Sequence, residues 1–183
     1  MHRQHLQDKL FSYSPIDENE ALMLIDIMEF VENYKNCFDR QLSVGHITGS
    51  AWIIDQDRTH ALLTHHKKLD RWLQLGGHSD GDADTLAVAL KEGREESGLD
   101  DIIAVSEGIF DVDVHLIPAR KSEPDHYHYD IRFLLEADRN TPLIISDESN
   151  DLAWVALDDI NQLVDDESIR RMLRKTRELT MNN

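Results

Sequence analysis

Glu92, Glu95 and Glu96 stand at positions i, i+3 and i+4 of a segment with helical periodicity, so their carboxylates share one side of one helix. Like charges at this spacing repel by roughly a few tenths of a kcal/mol per pair, and a cation removes that cost. Hard divalent ions such as Mg²⁺ or Mn²⁺ take carboxylate oxygens and complete their shell with water and substrate phosphates. The chemistry on offer is divalent-ion chemistry on a phosphorylated ligand. A merely solvated acidic face is the alternative in so acidic a chain.

The stretch around these residues, Gly76 to Leu99, reads GGHSDGDADTLAVALKEGREESGL. Two glycines and a run of small and acidic residues precede a helix expected from about Asp84 to Ser97. Leu86, Leu90 and Gly93 are its expected apolar face, opposite the carboxylates, and Gly98 is its natural stop. The stretch resembles the Nudix box: G, five residues, E, seven residues, R-E, an apolar residue, any residue, E-E, any residue, G, apolar. Gly77 takes the first G, Lys91-Glu92 the R-E pair, Glu95-Glu96 the E-E pair, and Gly98 and Leu99 the end. Three positions depart from the pattern. Ala83 replaces Glu and Lys91 replaces Arg; a Glu and an Arg could pair across the turn, so the two departures read as one event. Gly93 replaces an apolar residue, costs about 1 kcal/mol against Ala in a helix, and points to close packing there.

The resemblance to the Nudix hydrolases implies an α/β/α sandwich with a mixed sheet. It implies hydrolysis of a nucleoside diphosphate linked to another moiety, with Mg²⁺ or Mn²⁺ as cofactor. It assigns Glu92, Glu95, Glu96 and the Gly76 carbonyl to the metal, with Glu95 able instead to orient the water. A further acid often precedes a Trp-bearing strand in this family. Glu148, six residues before Trp154, matches it as extra ligand or general base. Two alternatives stay open. One is a catalytically weak or inactive Nudix-like domain that only binds a nucleotide. The other is an RNA 5′-end pyrophosphohydrolase using the basic segment Arg170–Arg177, against which the net charge argues.

Candidate substrate contacts are Lys67, beside Lys68, and Arg120, beside Lys121, because cations are scarce in this chain; Glu123 is a further metal candidate. Asp130 and Arg132 join His126 and His128 on one face of a strand through period-2 alternation. A His-x-His-x-Asp set could hold zinc, but a polar or substrate-facing sheet face is the preferred reading. His78 reads as structural, and His65 and His66 point to opposite faces.

These residues need a scaffold, and 183 residues with 40% hydrophobic content can build one. Residues 1–13 read as a polar lead-in, followed by a helix capped by Ser14 and running to about Asn36. Leu22, Ile25, Met28 and Val31 form its stripe, packed on the domain or, alternatively, in a homodimer contact. Strands are expected at His46–Asp55, Ala61–His66, Trp72–Leu75, Ile109–Ala119, Tyr127–Ala137 and Leu152–Leu157, with closing helices at Asp158–Val164 and Ser168–Thr180. The division expected is an N-terminal helical extension, 1–45, on a core domain, 46–183. The net charge of −17 argues against nucleic-acid or anionic-membrane partners, and the family resemblance implies a nucleotide-type small molecule as the substrate. The single cysteine, Cys37, suits a reducing compartment, and no leader or membrane span is evident. The expected location is cytoplasmic.

Overall fold

The computed structural model describes residues 2–119 and 124–181. Its elements are α1 (Gln4–Ser12), α2 (Glu18–Asn33), β1 (Gly45–Asp55), β2 (His60–His66), β3 (Arg71–Leu73), β4 (Leu75–His78), α3 (Thr85–Ser97), β5 (Ile103–Ala104), β6 (Asp111–Ile117), β7 (His126–Ala137), β8 (Ser149–Ala156), α4 (Ile160–Leu163) and α5 (Glu167–Met181). The fold is α/β/α, a mixed sheet flanked by helices with two helices at the N-terminus. Close packing groups the chain into two compact units. One draws on Met1–Ser50, Gly77–Ala89 and Glu107–Phe133, the other on Ala51–Gly76, Leu90–Ser106 and Leu134–Asn183. No helix among the described residues is long and apolar enough to cross a membrane.

In the first unit the N-terminal segment is not a polar lead-in but the helix α1. Leu6 and Leu10, one turn apart, are its buried residues, and α1 packs on α2. α2 begins later than Ser14 would dictate. The Asp17 side chain accepts the Glu20 amide at 2.9 Å and caps the helix. The Glu20 carboxylate meanwhile accepts the Ile16 amide at 2.8 Å and the Tyr13 hydroxyl, which holds Ser14–Ile16 outside the helix. The helix ends at Asn33. Ile27, Phe30 and Val31 are buried while Leu22, Ile25 and Met28 stay exposed, so the packed face is rotated from the expected stripe. α2 lies on β6, with Phe30 stacked on Tyr129 at 3.9 Å between centroids. β6 and β7 pair antiparallel, Asp111 opposite Arg132, Asp113 opposite Asp130 and His115 opposite His128.

In the second unit β2 pairs antiparallel with β1, β3 and β8. Its core includes Trp52, Ile53, Leu62, Leu63 and Leu135, with Ile169, Met172 and Leu173 contributed by α5. Trp52 Nε1 donates to Thr176 Oγ1 at 2.9 Å. The basic residues of α5 are largely committed to acids of the same unit: Arg170 to Asp165, Arg174 to Glu167 and Arg177 to Asp158, each at 2.8 Å.

Candidate active site

The carboxylates rise from α3, and local chemistry fixes where that helix starts and stops. Asp84 Oδ1 accepts the Ala87 amide at 3.1 Å, the geometry of an N-cap. Gly98, at φ +72°, ends the helix, its amide bonding the Arg94 carbonyl at 2.8 Å. The left-handed turn is needed and so is the missing side chain, because a Cβ on Gly98 would lie 2.6 Å from Ile144 Cβ. Ile144 N–H in turn bonds the Ser97 carbonyl at 2.8 Å, which ties the segment leading to Glu148 to the end of the glutamate helix. Glu148 is held from its other side as well: its carbonyl accepts the Lys67 amide at 2.9 Å.

The buried stripe of α3 is Thr85, Val88, Ala89, Gly93 and Ser97; Leu86 and Leu90 are only half-buried. Small residues hold the stripe because the helix sits close to what it covers. A Cβ on Gly49 would come within 2.8 Å of the Thr85 carbonyl and 2.9 Å of Val88 Cγ1. A Cβ on Gly93 would meet Ile102 Cδ1 at 3.3 Å, Ile53 Cδ1 at 3.4 Å and Ala51 Cβ at 3.5 Å. The close packing expected at Gly93 is there.

This rotation changes the surroundings of the glutamates. They do not stand opposite the apolar face: Glu92 and Glu96 flank the buried stripe and are half-buried, the Glu92 side chain being 17% exposed, whereas Glu95 points outward at 61%. Burial raises the pKa of Glu92, with the charges of Glu95 and Glu148 adding to the rise. Burial pushes Glu96 up to about 8, reinforced by Glu92 and Glu148 and opposed by a hydrogen bond from the Gly76 backbone. Gly76, Glu92, Glu95, Glu96 and Glu148 thus form one electrostatic neighbourhood. Lys91 Nζ lies 3.2 Å from Glu92 Oε1 and 3.7 Å from Glu95 Oε2. One ammonium does not offset four carboxylates. A hard divalent ion fits this donor set, because its charge removes the repulsion that shifts Glu96.

The other expected contacts fall elsewhere. Lys67 is exposed beside the Glu148 backbone. Arg120, like Lys121 and Glu123, lies outside the described residues. Asp130 and Arg132 are each 2% exposed and are engaged with protein groups. Arg132 Nε donates to Asp130 Oδ2 at 2.7 Å, Nη1 to Asp111 Oδ2 at 3.2 Å, and Nη2 lies 3.3 Å from Asp113 Oδ2. Asp130 Oδ1 takes the hydroxyls of Thr48 and Ser50 at 2.8 and 2.7 Å. The three aspartates raise the Arg132 pKa despite its burial. The geometry makes this pair a buried ion knot, not an open substrate contact. Cys37 is fully buried, which pushes its thiol up to about 11 and leaves it inert at neutral pH.

A family model described as NUDIX domain matches residues 46–176. Comparison with curated proteins gives no match. Among solved structures, the chain is similar to a C. elegans Ap4A hydrolase binary complex, with TM-score 0.60 and 17% identity over 75% of this chain and 98% of that one. The E. coli dihydroneopterin triphosphate pyrophosphohydrolase gives TM-score 0.57 and 16% identity over 70% of this chain and 92% of that one. The NUDIX domain of Shewanella oneidensis NrtR, complexed with ADP ribose, gives TM-score 0.53 and 16% identity over 83% and 97%.

Proposed function

The chain belongs to the NUDIX family of pyrophosphohydrolases, and from that premise we propose that it hydrolyses the pyrophosphate bond of a nucleoside diphosphate linked to a second moiety, with Mg²⁺ or Mn²⁺ at the α3 carboxylates. The observation that carries this reading is the carboxylate cluster itself, with four acids around one ammonium. Burial, with the charge of Glu148 adding to it, raises the proton affinity of the half-buried Glu92 and Glu96, and such a site favours a divalent cation. A divalent ion bound there would offset the charge of the diphosphate and of its transition state.

The chain's own groups then divide the work. Glu92 and Glu96, half-buried and fixed by the close seat of α3, are the strongest candidates to hold the ion, with the Gly76 carbonyl and Glu95 beside them. Glu148 is exposed and anchored on both sides through the chain, which suits a general base. It would take a proton from water as the water oxygen bonds to phosphorus. The bond from that phosphorus to the bridging oxygen breaks, and the bridging oxygen leaves with the second phosphate. Glu95, the most solvent-exposed glutamate of the box, is the alternative water-orienting group. Lys67 and Arg120 remain the proposed phosphate contacts.

Three solved structures similar to this chain are an Ap4A hydrolase, a dihydroneopterin triphosphate pyrophosphohydrolase and a domain complexed with ADP ribose, which sets the breadth of the substrate panel. The RNA-end alternative draws no support from α5, where Arg170, Arg174 and Arg177 are paired with acids.

The test is incubation with Mg²⁺ and a panel of dinucleoside polyphosphates, nucleotide-sugars, ADP-ribose, CDP-alcohols and nucleoside triphosphates, with products identified by mass. Cleavage within the phosphate chain is expected for at least one class. Tight nucleotide binding with no cleavage across the panel would replace hydrolysis with a binding role and turn attention to Ala83 and Lys91.

A further inference from the structure

The face of β6 and β7 that carries the Arg132 knot changes character toward its other end. Beyond the Asp113–Asp130 pair, His115 stands opposite His128. His46 of β1 and His78 of β4 join them. The His46 ring centroid lies 5.0 Å from that of His78, 4.7 Å from His128 and 5.1 Å from His126. One nitrogen from each of His46, His78 and His128 lies within 4.8 Å of the others. His46 is 2% exposed, yet neither of its ring nitrogens has a hydrogen-bond partner; Nε2 of His128 is likewise buried and unpartnered. A buried polar atom left this way costs about 1–3 kcal/mol, and one ligand between the rings could take a nitrogen from each.

The donors specify that ligand. All are imidazole nitrogens, which suit Zn²⁺ and its neighbours in the first transition row, whereas Mg²⁺ demands oxygen. Burial and the neighbouring imidazoles hold His46 down to about 4 and shift His128 the same way, which favours the neutral form of these two rings. Nitrogens on a tetrahedral ion with bonds of about 2.0–2.1 Å sit about 3.3 Å apart, so closing the cluster asks each ring to move by ~1 Å.

We infer that His46, His78 and His128 form a second metal site, one that takes a transition ion of the Zn²⁺ type and shares no ligand with the α3 carboxylates. Three protein ligands leave the fourth position to water or to His126, whose ring centroid is 5.3 Å from that of His128. A pocket of ≈ 290 Å³, lined by Arg40, His46, His78 and His126 among others, gives the ion an entry path.

Co²⁺ titration of untagged, chelator-stripped protein tests this, because tetrahedral nitrogen-bound Co²⁺ gives intense visible bands and octahedral oxygen-bound Co²⁺ gives weak ones. The bands should saturate at one equivalent, vanish on adding Zn²⁺ and survive excess Mg²⁺. His78→Gln should weaken Co²⁺ binding by at least about 100-fold, since losing even an outer-shell partner of a ligand costs 10–100-fold. Glu96→Gln should leave the bands unchanged. Because a ligand variant that misfolds would also lose them, circular dichroism of the metal-free variants is compared first. The wild type supplies an independent readout: Zn²⁺ should raise its melting temperature in proportion to occupancy. Absence of intense bands, no Zn²⁺-dependent rise in melting temperature, or equal binding by well-folded His78→Gln would overturn the site.

Discussion

The carboxylates around α3 and the imidazoles of β1, β4 and β7 are both gatherings of ligand-type side chains, yet they hold opposite imbalances. The glutamates carry excess charge: three on a single turn and a half of helix, with burial and neighbouring charge raising the proton affinity of Glu92 and Glu96. Burial disfavours the charged form of His46 and His128 and leaves nitrogens of both without partners. A charged cluster can rest partly in water and needs only a hard cation to balance it. A neutral buried cluster cannot use water in that way and needs a group that accepts lone pairs. The contrast assigns hard-ion phosphate chemistry to one and softer-ion coordination to the other. Between these extremes lies the Asp111, Asp113, Asp130 and Arg132 knot, where three carboxylates share one guanidinium.

Removing that guanidinium should have the largest effect on stability. Arg132→Met leaves the buried Asp111 and Asp130 and the half-buried Asp113 with no guanidinium, and chemical denaturation should show a loss of about 3–5 kcal/mol. His126→Gln, on the same strand face, should change metal-free stability by less than about 0.5 kcal/mol. A small loss for Arg132→Met would mean the knot is solvated and the comparison with the histidine end is wrong.

Proton linkage comes next. The folded pKa of Glu96, about 8, lies above its ordinary value of 4.5, so the folded metal-free protein binds this proton more tightly than the unfolded chain does. The stability it contributes is therefore present below about pH 4.5 and lost as the pH rises toward 8. The melting temperature of metal-free protein should fall by a few degrees over that window relative to Glu96→Gln. Mg²⁺ binding at pH 7 should release a proton, seen as a buffer-dependent heat in calorimetry. A binding heat independent of buffer ionisation would show that Glu96 is already ionised.

The seat of α3 gives a smaller effect. Gly93→Leu should cost about 1–3 kcal/mol by overpacking against Ile53 and Ile102, and lower turnover by lifting the glutamates. Gly93→Ala should stay within about 0.5 kcal/mol of wild type, the helix gain offsetting a tight contact that a flexible Ile102 methyl can relieve. Smallest of all, Lys91→Met removes a cation beside Glu92 and Glu95, so Mg²⁺ should bind up to about fivefold more tightly at low salt. Unchanged affinity would show that the ammonium is screened.

The glutamates were legible in the sequence because one helix carries them at fixed spacing, and Glu148 because a tryptophan strand marks its loop. Their half-burial was not. Leu86 and Leu90 advertised an apolar face, but the close approach of α3 to Gly49 and to Ala51 selects the small residues Val88, Ala89 and Gly93 instead. The alternation from His126 to Arg132 correctly put four side chains on one face, yet it could not say that Asp111 and Asp113 would consume Arg132, nor that His46 and His78 would converge on His128. Those partners lie tens of residues away and only strand register unites them. α1 escaped notice because Leu6 and Leu10 are a single apolar pair in a polar run, too little for periodicity to register.

The most direct measurement is the Mg²⁺ dependence of nucleoside diphosphate cleavage by wild type and Glu96→Gln, with circular dichroism to confirm that both are folded. The expected result is saturable Mg²⁺-dependent turnover in the wild type and a loss of at least about 100-fold in the variant. A folded Glu96→Gln protein that turns over at close to the wild-type rate would contradict the assignment of the α3 carboxylates to the metal.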